Sequence, residues 1–300
     1  MRIGYFADGP WSHRALEKIL INKDLDIKFV CARYENPDPE LKRISQINKI
    51  PFFSTKNVNG QNFIEQLEIF KCNLFVSMSF NQIFKNQIIK STRGGIINCH
   101  AGKLPYYRGR NLLNWALINN ESEFGVTVHF VDEGIDTGDI ILQKTFPITD
   151  EDDYSTLLSR SYEYCSELLI EALNNILQNN INKISQSSLG SEGFYCTQRR
   201  PGDEHLNWHQ SARDVFNFVR AICHPGPQAR TYIGKSEVKI NRVKLIANAP
   251  KFKGIPGAVL CLEKKSFLVK TADSFVRVIE WDSDQKIKVG DRFNGHNCNC

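Results

Sequence analysis

The side chains most able to do chemistry lie along 96–140, which reads IINCHAGKLPYYRGRNLLNWALINNESEFGVTVHFVDEGIDTGDI. Asn98 and His100 follow an apolar run, Gly94-Gly95-Ile96-Ile97, that predicts a short buried strand. In extended chain successive side chains alternate, so Asn98 and His100 project to one side and Cys99 to the other. A carboxamide next to an imidazole at a strand end offers an oxyanion donor and a general base in one place. Asp136 lies in the loop Glu133-Gly134-Ile135-Asp136-Thr137-Gly138, just after an alternating strand predicted over 124–131. A carboxylate there can orient the imidazole and stabilise its protonated form. A plainer reading also fits: an Asn and a His satisfied at a strand end, and Asp-Thr-Gly as turn chemistry.

The elements that must position these groups begin with strands predicted over 2–6, 26–33, 51–54 and 74–77. Between them fall helices: one capped by Ser12 with Leu16, Ile19 and Leu20 inward, and others over 39–47, 61–70 and 81–89. Strands alternating with helices imply an α/β domain with a Rossmann-like, mostly parallel sheet covered on both faces. The loop after the first strand has Gly9 but no G-x-G-x-x-G, which argues against a nicotinamide enzyme. Open α/β sheets still place sites beyond the carboxyl ends of their strands, where 9–11, 77–80 and 98–100 all fall. A helix follows over 111–118, then strands over 124–131 and 139–146; His129, alone within a strand, is read as structural. An acidic run at 150–153 leads into a long helix, with Leu158, Tyr162, Cys165, Leu169, Leu173 and Ile176 at helical spacing. Beyond a polar stretch come an amphipathic helix over 214–222 and β-rich runs at 258–262, 267–271 and 276–280. They suit a smaller β-rich, OB-like barrel domain. The expected division is a catalytic domain over 1–183, a linker over 184–203 and the small domain over 204–300.

Bulk properties set outer limits. Three hundred residues give ample length for a packed core, and no apolar run is long enough to span a bilayer. Nine cysteines without paired spacing argue against a disulfide framework and for a reducing, cytoplasmic setting with no signal peptide. Cys298 and Cys300 form a Cys-x-Cys tail without a second ligand pair, so no metal is expected. A net charge of +5 suits an anionic small substrate rather than a dedicated nucleic-acid surface.

Three separated motifs carry a resemblance. Asn98-x-His100 with Leu104-Pro105-x-Tyr107-Arg108-Gly109, then Gly125-Val126-Thr127, then Asp136-Thr137-Gly138-Asp139 resemble the folate-dependent formyltransferases. The resemblance implies Asn98, His100 and Asp136 as the catalytic trio, N10-formyltetrahydrofolate as donor, and a primary amine as acceptor. It puts the folate beside Met78, Phe80 and Ile83 and beside Asp132, Glu133 and Ile135. Gly9, Trp11, Lys103, Tyr107 and Arg108 are then expected on the acceptor side. Ala101-Gly102-Lys103 departs from the small-Ser-Leu run of many relatives and leaves the trio untouched.

Arg108-Gly109-Arg110 with Asn114-Trp115, and the later Arg199-Arg200-Pro201-x-Asp203, resemble the nucleotide-sugar N-formyltransferases more than the methionyl-tRNA enzymes. Paired guanidinium groups suit a pyrophosphate, which they bind bidentately; a solvated basic pair is the alternative. The acceptor implied is a nucleotide-linked 4-amino-dideoxysugar, most similar to UDP-linked 4-amino-4,6-dideoxy-2-acetamido sugars. Such products enter surface polysaccharides such as lipopolysaccharide O-antigen. A methionyl-tRNA formyltransferase and a catalytically idle binding protein of the same fold are the other readings. A homodimer is the default expectation for assembly.

Overall fold

The computed structural model describes residues 1–190 and 192–294, so Cys298 and Cys300 lie outside the described residues. Two compact units emerge: Met1–Leu112, Phe124–Phe146 and Ser159–Thr197 form the first, and Leu113–Glu123, Pro147–Leu158 and Gln198–Cys300 the second. The division follows packing rather than chain order, because two short segments from the middle of the chain belong with the C-terminal part.

The elements run β1 (Arg2–Ala7), α1 (Gly9–Ile21), β2 (Asp26–Ala32), α2 (Pro39–Ile47), β3 (Phe52–Ser54), α3 (Gln61–Glu68), β4 (Leu74–Met78), α4 (Asn86–Ile89) and β5 (Ile96–His100). Next come β6 (Arg108–Gly109), α5 (Leu112–Ile118), β7 (Glu123–Phe130), β8 (Ile140–Pro147), α6 (Tyr154–Leu177) and β9 (Tyr195–Cys196). The chain continues through α7 (Ala212–Ile222), β10 (Ala229–Ile233), β11 (Ser236–Lys244), β12 (Val259–Glu263), β13 (Ser266–Lys270) and β14 (Phe275–Ser283).

In the first unit seven strands are ordered β3-β2-β1-β4-β5-β7-β8. The pairs from β3 through β5 are parallel, and β7 joins β5 antiparallel. β1 and β4 are apolar and buried on both faces, as a doubly covered parallel sheet requires. Strand order reverses between β1 and β4, which puts the mouth of the sheet beside the carboxyl ends of β1, β4 and β5.

Local chemistry explains some helix ends and corrects some expectations. Asp38 caps α2, accepting from the backbone N–H of Glu40 and Leu41 at 2.9 Å each. Ser12 does not cap α1. The helix starts earlier, at Gly9 with Pro10 in its first turn, and the Ser12 hydroxyl donates back to the Gly9 carbonyl at 2.7 Å. The helix expected over 81–89 shrinks to α4, because 81–85 is spent on turns bonded to 55–59: Gln82 links Val58 N–H and Thr55 carbonyl, and Asn59 links Ile83 and Lys85.

One face of this sheet is an aromatic core. The Phe29 ring centroid lies 5.4–5.9 Å from those of Phe6, Phe53, Phe70 and Phe75, mostly edge to face. Phe29→Ala should therefore destabilise the chain by ~3–5 kcal/mol, read as a shifted midpoint in chemical denaturation. A loss below about 1 kcal/mol would mean this ring cluster is not the core.

The second unit carries the antiparallel sheet β10-β11-β14-β13-β12. Both edges meet the same segment: Tyr232 bridges Asn294, and Ala258 bridges Arg292. The sheet thereby curls toward a barrel, without open edges at those points. Within the same unit the acidic run is put to use: Asp150 pairs with Arg213, and Asp153 accepts from Thr156 N–H at 3.0 Å at the start of α6.

Candidate active site

β5 presents its residues as alternation demands. Cys99 turns toward α6, its thiol 3.4 Å from the Cys165 carbonyl, while Asn98 and His100 face the opposite side. Antiparallel pairing sets His129 of β7 directly across from Asn98, and Thr127 across from His100. The Asp136 loop then folds over that face. His100 Nδ1 and His129 Nε2 each lie 3.6 Å from Asp136 Oδ1, and the two imidazole centroids are 6.1 Å apart, edge to face.

Hydrogen bonds assign the ring nitrogens. A carbonyl only accepts, so His100 Nε2, 2.8 Å from the Tyr107 carbonyl, carries a proton. The lone pair of neutral His100 is therefore on Nδ1, facing Asp136. His129 Nδ1 donates to the Phe130 carbonyl at 2.8 Å, so its Nε2 accepts from the Asn98 amide at 3.2 Å. That bond fixes the Asn98 carboxamide and leaves its second N–H for a ligand oxygen. Sequence reasoning gave His129 no role; the signal that could have found it is its cross-strand register with Asn98.

His100 is 7 % exposed, and burial pushes its imidazole below the ordinary 6.5; Asp136 opposes that shift and His129 adds to it. Burial alone would raise the Asp136 carboxyl. The attraction of the carboxylate to a protonated His100, the His129 ring and the Gly109 N–H at 2.9 Å outweigh it and hold the carboxyl well below the usual carboxylate range. The arrangement is a neutral base beside a firmly ionised carboxylate, with a fixed amide donor next to both.

The turn 101–107 packs tightly against the imidazole. At Gly102 a side chain would come within 2.4 Å of the Tyr107 carbonyl and 2.6 Å of His100 Nε2, so only glycine permits this approach. Thr127 donates to the Gly102 carbonyl at 2.7 Å, and Gln143 donates to Thr127 and to the Leu104 carbonyl at 2.9 Å each. Gly102, inside the departing run, is thus held by β7, and Leu104 just beyond it by β8.

The remaining expected site residues separate. Gly9 opens α1, its N–H donating to Asp38 at 3.0 Å, and Trp11 packs edge to face on Tyr162 at 4.8 Å. Lys103 is half-buried in the turn. Tyr107, expected against the acceptor, is 9 % exposed: its ring packs on Phe194 at 5.1 Å and its carbonyl accepts from His100. Arg108 spends its guanidinium on Gln186 and lies over the Tyr195 ring. Arg199 and Arg200 belong to the second unit. There Arg199 lies over the rings of Trp115 and Phe218, 5.8 and 5.5 Å away, while Arg200 is exposed.

Among the residues expected beside a folate, Met78 is only 1 % exposed and serves the core. Phe80 and Val131 are half-buried against the aromatic cluster, and Ile83 and Ile135 are exposed. Asp132 accepts from Gly134 N–H and the Thr137 hydroxyl, which shapes the loop, and Glu133 is exposed. Among the described residues no cluster of His, Cys, Asp or Glu is placed to hold a metal, and no helix is long and apolar enough to cross a membrane.

Comparison with known proteins identifies the family. A methionyl-tRNA formyltransferase of Thermodesulfovibrio yellowstonii is 30% identical over 270 residues, covering 87% of this chain and 85% of that protein. Among solved structures, WlaRD, a sugar 3N-formyl transferase in the presence of dTDP and 5-N-formyl-THF, superposes with a TM-score of 0.71 at 22% identity, covering 96% of this chain and 99% of that one. An N-formyltransferase from Helicobacter canadensis, in complex with folinic acid and dTDP-3-aminofucose, gives 0.68 at 23% identity, covering 94% and 99%. Residues 17–173 match the formyl transferase family and residues 199–297 the formyl transferase C-terminal domain; the chain belongs to the formyl transferase family.

Proposed function

We propose that this formyltransferase moves a formyl group from N10-formyltetrahydrofolate to the primary amine of a nucleotide-linked 4-amino-dideoxysugar, for surface glycan synthesis such as lipopolysaccharide O-antigen. The observation that carries the chemistry is the grouping of Asn98, His100 and Asp136, with Nδ1 of His100 turned to the carboxylate. The acceptor amine attacks the formyl carbon, forming the new C–N bond, and negative charge develops on the formyl oxygen. The free N–H of Asn98 stabilises that oxygen. His100 Nδ1 takes the proton released by the amine, the resulting imidazolium is stabilised by Asp136, and the proton passes to N10 as the old C–N bond breaks. Phe80, Ile83, Val131 and Ile135 offer apolar surface for the donor's ring system, beside the carboxylates of Asp132 and Glu133.

The acceptor class rests on the arginine pair and on the nucleotide sugar named with the Helicobacter structure. Asp203 organises Arg199 and Arg200, accepting at its carbonyl from the Arg199 side chain and at its carboxylate from the Arg200 N–H. With Arg199 set against two rings and Arg200 exposed, the turn is arranged before any phosphate arrives. Arg199→Ala/Arg200→Ala should raise KM for the sugar nucleotide by ~10²-fold, two charge-assisted contacts being lost, and leave the KM for the donor unchanged. An unchanged acceptor KM would remove the arginines from the site.

A second reading, transfer to initiator methionyl-tRNA, is favoured by the name of the Thermodesulfovibrio relative. The net charge of +5 is modest for a protein that must neutralise many phosphates. Incubation with formyltetrahydrofolate and either UDP-, dTDP- and GDP-linked 4-amino sugars or initiator methionyl-tRNA separates the two. Tetrahydrofolate release with a sugar nucleotide alone is the expected result; release with tRNA alone would overturn it.

A further inference from the structure

We infer that Gln186, in the segment expected to be a linker, is a positioning residue that holds Asp136 in its working geometry. The inference rests on the proposed reaction. Asp136 adopts φ +55°, a left-handed conformation uncommon outside glycine though tolerated by Asp, so its retention here draws on the surrounding contacts. Those contacts come from outside the loop. Gln186 Nε2 donates to the Asp136 carbonyl at 2.8 Å and to the Gly138 carbonyl at 2.9 Å. Its Oε1 accepts from Arg108 Nε at 3.2 Å and Nη2 at 2.6 Å. Both amide hydrogens and both oxygen lone pairs are therefore used, and the side chain is 3 % exposed, so its orientation is unique.

The same segment grips Asp136 at its other end. β9 pairs in parallel with β6: the Phe194 carbonyl receives Arg108 N–H and the Cys196 carbonyl receives Arg110 N–H, both at 3.2 Å. Between those two bonds the Gly109 N–H is turned the other way, onto Asp136 Oδ2 at 2.9 Å. Gly109 sits at φ +94°, and a side chain there would come within 2.5 Å of the Cys196 carbonyl. Asp136 is thus held by its carbonyl through Gln186 and by its carboxylate through Gly109, leaving Oδ1 facing His100 and His129. Removing Gln186 leaves two carbonyls without their donor at a strained residue, and the loop relaxes away from the imidazole.

Gln186→Met, neutral and of similar length, should lower kcat by ~10²-fold, as a misplacement of about 1 Å does, with both KM values kept. In an Asp136→Asn background the same substitution should cost nothing further, because Gln186 acts through that carboxylate. A full additional loss there would overturn the inference. NMR titration of the His100 ring gives a readout independent of turnover. With the carboxylate displaced, the His100 midpoint in Gln186→Met should fall below the wild-type value; an unchanged midpoint would also overturn the inference. Gln186→Glu, which keeps the Arg108 pair but presents oxygen to the two carbonyls, should show the same kcat loss should the Met variant fold poorly. A wild-type chain that formylates no amine would sink the proposed reaction, while the titration would still decide the role of Gln186.

Discussion

His100→Ala is expected to lower kcat by ~10²–10⁴, with Asp136→Ala close behind, while both chains stay folded. Removing the imidazole deletes its hydrogen bond to the Tyr107 carbonyl, which costs about 1–3 kcal/mol of stability. Against the ~5–15 kcal/mol of a typical domain that is a sizeable fraction, but it leaves the chain folded. Loss of turnover with a retained cooperative thermal transition would separate the chemical role from a structural one. Turnover within a few-fold of wild type in either variant would reject the base. The pH profile gives the sign. Activity needs neutral His100, whose pKa burial holds below 6.5, so the rate should fall as pH drops through that lowered value. Asp136 raises that pKa, so Asp136→Asn should move the acid limb to still lower pH while lowering the plateau. A limb that moves to higher pH would contradict the assignment.

Asn98→Ala should cost ~10²–10³ in kcat, the usual price of one oxyanion donor, with little change in KM for the donor. Asn98 forms its resolved side-chain bond with His129, on which no buried backbone group depends, so the fold should tolerate the change. Asn98→Asp is expected to be worse, since it sets a negative charge where the formyl oxygen gains one. An Asn98→Ala enzyme that loses substrate affinity and keeps kcat would place the amide in binding rather than in catalysis.

Much of this was legible in the chain. Alternation along 96–100 separated Asn98 and His100 from Cys99, because a strand has a period of two whatever surrounds it. Alternating strands and helices gave the mostly parallel sheet, and motif order pointed to the formyl transferase family. What stayed hidden was set by long-range partners. His129 enters the centre only through strand register, and Gln186 through a contact with Asp136 fifty positions earlier in the chain. Within the polar stretch that reads as a linker in sequence, β9 pairs with β6 and Gln186 is a buried amide, and neither partner is near in the chain. Ser12 misled for a local reason: it is a good cap, but Gly9-Pro10 offered an earlier start. The burial of Tyr107 has a tertiary cause, its ring packing on Phe194.

Formyltetrahydrofolate labelled with carbon-13 at the formyl carbon, mixed with the purified chain and a sugar nucleotide bearing a 4-amino group, should give a carbon-13 formamide signal on the sugar nitrogen. The signal should be absent with His100→Ala over the same time. Label that ends in free formate, or on the sugar at an undiminished rate with His100→Ala, would contradict a direct transfer run by this centre.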